Sequence, residues 1–296
     1  MSGILVAIET GGTKIVCRAT DLRGKTLVER RLATGTPAEA LRALQSIIEQ
    51  VARAHGPVAG IGIASFGPVM LDRSSPDFGR VLATPKGAWA GFDLPRALRE
   101  RFDAPVAIDT DANAAAIAEQ SLGAGRGCSS VAYVTVGTGI GGGLATDGHS
   151  LLGALHPEIG HLPVLRVPGD SHASSCPFHD HCVEGLAAGP AIASRLGAVR
   201  SLADAPDVRR LVADYLGQLM ANLLLAWSPH RIVLGGGVMA TVGLIDDVER
   251  SMLAALGGYG AAVVAGPRYL ALAELRDAGL EGGLMMARAI SQHGDR

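Results

Sequence analysis

Apolar residues run without interruption over residues 4–8, break at the polar stretch E-T-G-G-T-K, and resume over residues 15–19. That pattern predicts two strands joined by a glycine turn, and a second turn at 21–25 followed by a strand at 26–32 extends them into a meander. A helix follows over residues 37–54, with Thr36 at its N-cap. Residues 58–64 read as a strand, and S-F-G-P then opens a loop that runs to Trp89. Asp93 is placed as the N-cap of the next helix, with Pro95 in its first turn. A buried strand at 106–108 ends in D-T-D-A-N, and A-A-A-I-A-E after it is helical by propensity.

At Val131 the pattern starts again. V-A-Y-V-T-V is a strand, G-T-G-I-G-G-G a glycine-rich turn and L-A-T-D a return strand, as in V-A-I-E-T-G-G-T-K-I-V near the start. Two related halves could face one nucleotide. Helices are expected at 189–196, 206–227, 244–256 and 279–291, with a strand at 231–234 that ends in three glycines. The restart places a domain boundary near residue 113, which divides the chain into 1–113 and 114–278.

Composition changes this picture little but closes several alternatives. The 296 residues are 48% hydrophobic and 18% charged, which describes a folded chain with ample core. A net charge of −2 leaves no basic footprint for nucleic acid. The start of the chain lacks the charged and apolar regions of a signal peptide, and the longest apolar run, residues 223–227, is too short to span a bilayer. Four cysteines give no disulfide framework. A soluble cytoplasmic protein is expected, with no nucleic-acid or membrane partner.

Two phosphate-binding patterns fail on context. Residues 19–26 nearly match G-x4-G-K-[ST], but the first glycine is missing and a strand-like run follows, so a hairpin turn is expected. Gly137, Gly139 and Gly142 fit G-x-G-x-x-G after a strand, but no helix opens behind them to receive a pyrophosphate. What remains is a set of three glycine turns at strand ends: Gly11-Gly12-Thr13-Lys14, Gly137-Thr138-Gly139 and Gly235-Gly236-Gly237. Each brings backbone N–H groups free of side-chain bulk toward phosphate oxygens, and three in one chain favour a nucleotide between two lobes. Asp109 and Asp111 sit where a strand hands over to a helix, a place where α/β sheets meet ligands. One is expected to cap the helix and the other to work.

The densest chemistry lies in H-P-E-I-G-H and C-P-F-H-D-H-C-x-E. Cys176, His179 and Cys182 stand at C-x2-H-x2-C, and His161 precedes them across 14 residues. Two thiolates and two imidazoles form a tetrahedral zinc set with no open position, hence a structural metal. On spacing alone His156, His172 and His181 compete for the histidine places, and two buried cysteines beside loop histidines would give the same letters. Such a metal would hold the carboxylates of Glu158 and Glu184 in fixed positions, as in a polar substrate pocket braced by metal.

These blocks, together with L-G-G-G-V, resemble the ROK sugar kinases in matching order over nearly the whole chain. H-P-E-x-G-H with C-P-x-H-x-x-C resembles the bacterial fructokinase branch in particular. The resemblance implies an α/β, two-lobed, actin-like (ribonuclease H-like) ATPase fold with mixed sheets flanked by helices, a cleft between the lobes, and usually a homodimer. The C-terminal helix, about 279–296, would pack back on the first lobe. It implies Asp111 as general base, and Asn113, Glu158, His161 and Glu184 as contacts to sugar hydroxyls. Zinc would go to His161, Cys176, His179 and Cys182. Gly11, Gly12, Thr13, Lys14, Thr138 and Gly139 would hold the phosphates of Mg²⁺·ATP, and Gly236 and Gly237 its adenosine side. Family members more often carry Asp at Glu9, a position linked to Mg²⁺ through water, and Asn at Thr110. The reaction implied is phosphorylation of a hexose at its 6-hydroxyl, D-fructose first and mannose, glucose or an N-acetylhexosamine behind it. Family members that act as sugar-sensing repressors carry a helix-turn-helix before the first glycine turn. Here eight residues precede Glu9, so a repressor is not expected, and an intact Asp111 argues against a sugar-binding protein without catalysis.

Overall fold

Alternating apolar strands and amphipathic helices produce two mixed sheets, each flanked by helices, in a computed structural model that describes residues 3–84, 87–266 and 269–293. In chain order the elements are β1 (Ile4–Thr10), β2 (Lys14–Asp21), β3 (Thr26–Ala33), α1 (Pro37–His55), β4 (Val58–Ser65), α2 (Leu94–Phe102), β5 (Val106–Thr110) and α3 (Asp111–Leu122). There follow β6 (Ser130–Val136), β7 (Ile140–Thr146), β8 (His149–Ser150), α4 (Val183–Ala187), α5 (Gly189–Leu196) and α6 (Pro206–Trp227). The chain closes with β9 (Arg231–Gly235), α7 (Leu244–Leu256), β10 (Leu270–Leu272) and α8 (Ala278–His293). Residues 294–296 of the predicted last helix, and Pro85 and Lys86 of the predicted loop before Trp89, lie outside the described residues.

Packing divides the chain into a unit of residues 1–118, 150–156 and 277–296, and a unit of residues 119–149 and 157–276. In the first, the sheet order is β3-β2-β1-β4-β5, with β1–β2 and β2–β3 antiparallel and β4 and β5 added in parallel. Both expected turns are present. Asp21 Oδ1 accepts from the Arg23 and Lys25 amides at 2.9 Å, so the near-match to a phosphate loop is a hairpin corner. At the start of α1 the Thr36 side chain accepts from the Glu39 amide while Glu39 reaches back to Thr36, a capping box in which the hydrogen bonds from Thr36 lower the Glu39 pKa.

Side-chain alternation sends Ile4, Val6, Ile8, Ile61 and Ile63 into one core with Leu44, Ile48 and Leu98 of α1 and α2. Ala7 and Val16 face the other way, toward Leu280 of α8. That second face is paved with small residues. A Cβ on Gly62 of β4 would run into the Gly283 carbonyl of α8, so only glycine allows this helix to lie on this strand. Cys17 is sealed inside, and burial pushes its thiol up to about 12, which keeps it a neutral apolar residue at physiological pH.

The second unit repeats the scheme. β6 and β7 form an antiparallel hairpin, β9 adds in parallel to β6 and β10 in parallel to β9, with β8 at the far edge. Its core gathers Val134, Leu186, Leu216, Leu219, Ile232 and Val248 around α6, which is apolar on most of its faces. The sequence pattern missed β10 and α4; elements of three and five residues are too short to show a period. Among the described residues no helix is long and apolar enough to cross a membrane.

Candidate functional site

The three glycine turns end strands, as their pattern requires. In the first unit the Gly11 amide donates to the Lys14 carbonyl at 2.8 Å and Thr34 donates its hydroxyl to the Gly11 carbonyl at 2.8 Å. Gly12, Thr13 and Lys14 are left exposed at the tip of the β1–β2 hairpin. In the second unit two turns share one sheet end, because Thr135 of β6 pairs with Gly235 of β9. Gly137 closes on the Gly139 carbonyl at 2.9 Å, with Thr138 exposed between them. Beside it Gly236 has φ +89°, and a Cβ there would strike the backbone of Val136. Gly237 next to it meets nothing within 4 Å on the side where a Cβ would stand. As expected, Gly142 lies within β7 and not at a helix start.

At the end of β5 the structure departs from the sequence reading. Neither aspartate caps α3: the Thr110 hydroxyl accepts from the Asn113 amide at 3.1 Å, so Thr110 takes that place. Asp111 is half-buried on the first residue of the helix, its Oδ1 accepting from the Ala112 amide at 2.8 Å. Asp109 is 4% exposed, and burial raises its carboxyl above the usual range against hydrogen bonds from Ser150 and Asn113. Asn113 is fully buried. Glu9 is the last residue but one of β1 in the same unit. Burial raises its pKa too, with Lys14 pulling it back and Asp277 adding to the rise. A Cβ on Gly279 of α8 would stand 3.2 Å from the Glu9 carboxyl carbon and 3.4 Å from the Asp111 carbonyl oxygen. A glycine inside a helix gave no signal of this in the sequence.

In the second unit the H-P-E-I-G-H turn winds as a short 3-10 helix, Ile159–His161, with the His161 amide on the Glu158 carbonyl at 3.1 Å. The long loop behind it closes on itself: Val164 donates to the His181 carbonyl at 3.0 Å and Val183 to the Leu162 carbonyl at 3.1 Å. This ladder brings His161, Cys176, His179 and Cys182 together, with one ligand atom from each within 4.8 Å of the rest. Cys176 Sγ lies 3.6 Å from His179 Nδ1 and 3.9 Å from His161 Nδ1. A tetrahedral metal with bonds of ~2.3 Å to sulfur and ~2.0–2.1 Å to nitrogen separates such atoms by about 3.6 Å, so the donor set fits. The competing histidines are engaged elsewhere or stand apart. His156 accepts from the Val69 amide at 3.1 Å, His172 meets Ser194 at 2.9 Å, and His181 is exposed outside the cluster.

Cys182 also caps α4, its sulfur accepting from the Gly185 amide at 3.4 Å, and Glu184 follows in the first turn. One Glu184 oxygen accepts from the Ile140 amide at 2.8 Å, which ties the helix after the Cys/His loop to the Gly137–Gly139 turn. Glu158 is exposed.

A profile of the ROK family matches residues 5–290. The chain belongs to the ROK family. It is similar to a fructokinase of Pediococcus pentosaceus, 37% identical over 97% of this chain and 98% of that one. A fructokinase of Zymomonas mobilis is 41% identical over 85% of each chain. Among solved structures, a ROK hexokinase from Thermus thermophilus superposes with a TM-score of 0.77 at 30% identity, covering 99% of this chain and 100% of that one. A ROK glucokinase of Streptomyces griseus, solved with glucose and AMPPNP, gives 0.73 at 27% identity over 98% and 100%. The fold is thus that of the actin-like ROK sugar kinases.

This ROK chain adds a brace that its sequence did not disclose. Arg166 donates to the His172 carbonyl at 2.8 Å and the Asp180 carbonyl at 2.7 Å, bridging two bends of the Cys/His loop. Asp170 receives both arms of Arg195 at 2.8 and 2.9 Å and the Tyr215 hydroxyl at 2.5 Å, in a pair only 6% exposed. The partners lie 25 and 45 residues away, beyond any local pattern. The Arg195 guanidinium holds the Asp170 carboxyl well below the usual carboxylate range. A depressed folded pKa stabilises above the unfolded value of about 3.9, and that stability is lost as pH falls through the folded pKa. Asp170→Asn is expected to cost about 3–5 kcal/mol at neutral pH by leaving Arg195 buried and unpaired, and to cost less near pH 2. Urea denaturation at both pH values measures it; an equal loss at the two would contradict the ion-pair account.

Proposed function

We propose that the protein transfers the γ-phosphoryl group of Mg²⁺·ATP to the 6-hydroxyl of a hexose, with D-fructose preferred over mannose and glucose. The observation that carries the reading is likeness over 85–97% of the chain to proteins named fructokinase, at 33–41% identity. The local geometry supports it. Asp111, at the strand-to-helix junction, takes the proton from the sugar hydroxyl as that oxygen attacks. Positioning and electrostatics carry the rest of the acceleration.

Asn113, Glu158, His161 and Glu184 hold the other hydroxyls. With one Glu184 oxygen on the Ile140 amide, its second oxygen serves the sugar. His161 directs Nδ1 toward Cys176, which leaves Nε2 for a hydroxyl. Gly11, Gly12, Thr13, Lys14, Thr138 and Gly139 receive the phosphates, and Gly236 and Gly237 the adenosine side. His161, Cys176, His179 and Cys182 hold a structural Zn²⁺, which pins the loop carrying Glu158 and Glu184 and takes no part in proton transfer. The enzyme works in the cytoplasm as a homodimer.

The test is a coupled ADP-release assay with Mg²⁺·ATP against fructose, mannose, glucose and N-acetylglucosamine. Fructose is expected to give the highest kcat/KM. A different preference would move the substrate and keep the reaction, whereas measurable sugar binding without turnover of any sugar would sink the kinase reading and leave a sensor.

A further inference from the structure

The turn between β6 and β7 spends its backbone donors unevenly. The Gly137 amide closes on the Gly139 carbonyl at 2.9 Å, and the Ile140 amide donates to a Glu184 oxygen at 2.8 Å. Between them the Thr138 and Gly139 amides donate to nothing among the described residues, and Thr138 stands exposed. Two neighbouring N–H groups left open at an accessible turn are donors suited to a phosphate oxygen.

The turn is held from outside by the corner where α4 passes into α5. Gly189, the first residue of α5, donates its amide to the Gly137 carbonyl at 2.7 Å. One bond thus satisfies both a helix-start donor and the carbonyl of the turn. A Cβ on Gly189 would stand 2.9 Å from that carbonyl oxygen and 3.8 Å from the Thr138 Cα, so a side chain here would displace the turn. At the other end Glu184 fills the space beside Gly139, where a Cβ would lie 2.7 Å from its Oε2. The corner itself is firm. Val183, Leu186, Ala187 and Ala188 are each 0% exposed and share one core with Val136 and Ile140. The Ala188 amide closes α4 on the Glu184 carbonyl at 3.0 Å.

We infer that Gly189 is a positioning residue for the nucleotide phosphates: with Glu184 it clamps both ends of the Gly137–Ile140 turn, so that the Thr138 and Gly139 amides meet a phosphate oxygen without rearrangement. This rests on the reading of that turn as a phosphate contact. Donors fixed in advance bind a charged group without the cost of ordering the turn at the moment of binding. The clamp also gives two glycines their reason. Gly139 makes room for the Glu184 carboxylate, and Gly189 for the Gly137 carbonyl.

The experiment uses the full-length enzyme with fructose, Mg²⁺·ATP, the non-hydrolysable analogue AMPPNP and adenosine, which carries no phosphate. Gly189→Ala is expected to raise KM for ATP and Kd for AMPPNP about tenfold, since hydrogen bonds to a charged group are lost when the amides turn away. KM for fructose and Ki for adenosine are expected to change less than about twofold. A fold that was merely loosened would lower the active fraction, hence kcat, and would not separate ligands with phosphates from one without. Unchanged KM for ATP in Gly189→Ala would overturn the inference, as would an equal weakening of adenosine. Should Gly189→Ala not fold, amide hydrogen exchange on the parent takes its place. Exchange at Gly189 and Ile140 is expected to slow about tenfold with saturating AMPPNP and to change less than about twofold with adenosine. Equal exchange with and without AMPPNP would overturn the inference. Failure of the parent to bind AMPPNP or to phosphorylate any hexose would instead overturn the kinase reading.

Discussion

Asp111→Asn is expected to lower kcat for sugar-dependent ADP release by about 10²–10⁴-fold and to leave the melting temperature nearly unchanged. The expected size follows from removing a positioned general base while every binding contact remains. The expected stability follows from the cap. Thr110, not Asp111, accepts from the Asn113 amide, so the substitution leaves the N-cap of α3 intact. The bond that Asp111 Oδ1 accepts from the Ala112 amide can pass to the oxygen of an asparagine. What is lost is a negative charge at a helix N-terminus, worth about 0.3–1 kcal/mol. Turnover and thermal melting on the same preparation check both halves. A variant that keeps more than about a tenth of the parent kcat would remove Asp111 from the role of base.

Disruption of the Cys/His cluster is the second large effect expected. Cys176→Ser and Cys182→Ser are each expected to strip the metal and to cost roughly 3–5 kcal/mol, which lowers the melting temperature by about 5–8 °C for a chain of this size. That is well below the ~10–16 kcal/mol of small zinc peptides, because this loop has other supports. The Leu162–Val164 ladder to His181 and Val183, the Arg166 bridge and the Asp170–Arg195 pair all run without the side chains of the four cluster residues. Cys182 gives an internal control. Its sulfur also caps α4, and serine keeps an oxygen that caps well, so Cys182→Ala should lose about 1 kcal/mol more than Cys182→Ser. KM for sugar should rise in all three variants, since Glu184 follows that cap by two residues. Elemental analysis of the parent protein for zinc, beside calorimetry of the variants, decides it. A parent free of metal and a Cys176→Ser variant that melts with it would end the metal reading.

Much of this was legible in the chain because it is local. The β1–β2–β3 meander, the Thr36 capping box and the limits of α7 are set by side chains within a few residues of one another. The same holds for the two phosphate-loop patterns set aside, since each fails within its own dozen residues for want of a following helix. C-x2-H-x2-C announced three members of the Cys/His cluster by spacing. The fourth was ambiguous, since four histidines had the reach and only the loop's closure on its own backbone brought His161 to the cluster.

The sequence by itself determined the alternation of strands and helices, the glycine turns at strand ends and the Cys-x2-His-x2-Cys part of the Cys/His cluster, because turn chemistry, capping and periodicity act over about a dozen residues. The tertiary structure alone decided that Thr110 caps α3, that Ser150 holds Asp109 from 41 residues away, and that Glu184 is tied to Ile140 from 44. It alone showed that Gly62 admits α8 to the sheet. Such contacts depend on where the chain path returns, and a polar side chain carries in its own sequence neighbourhood no mark of which distant donor it will meet.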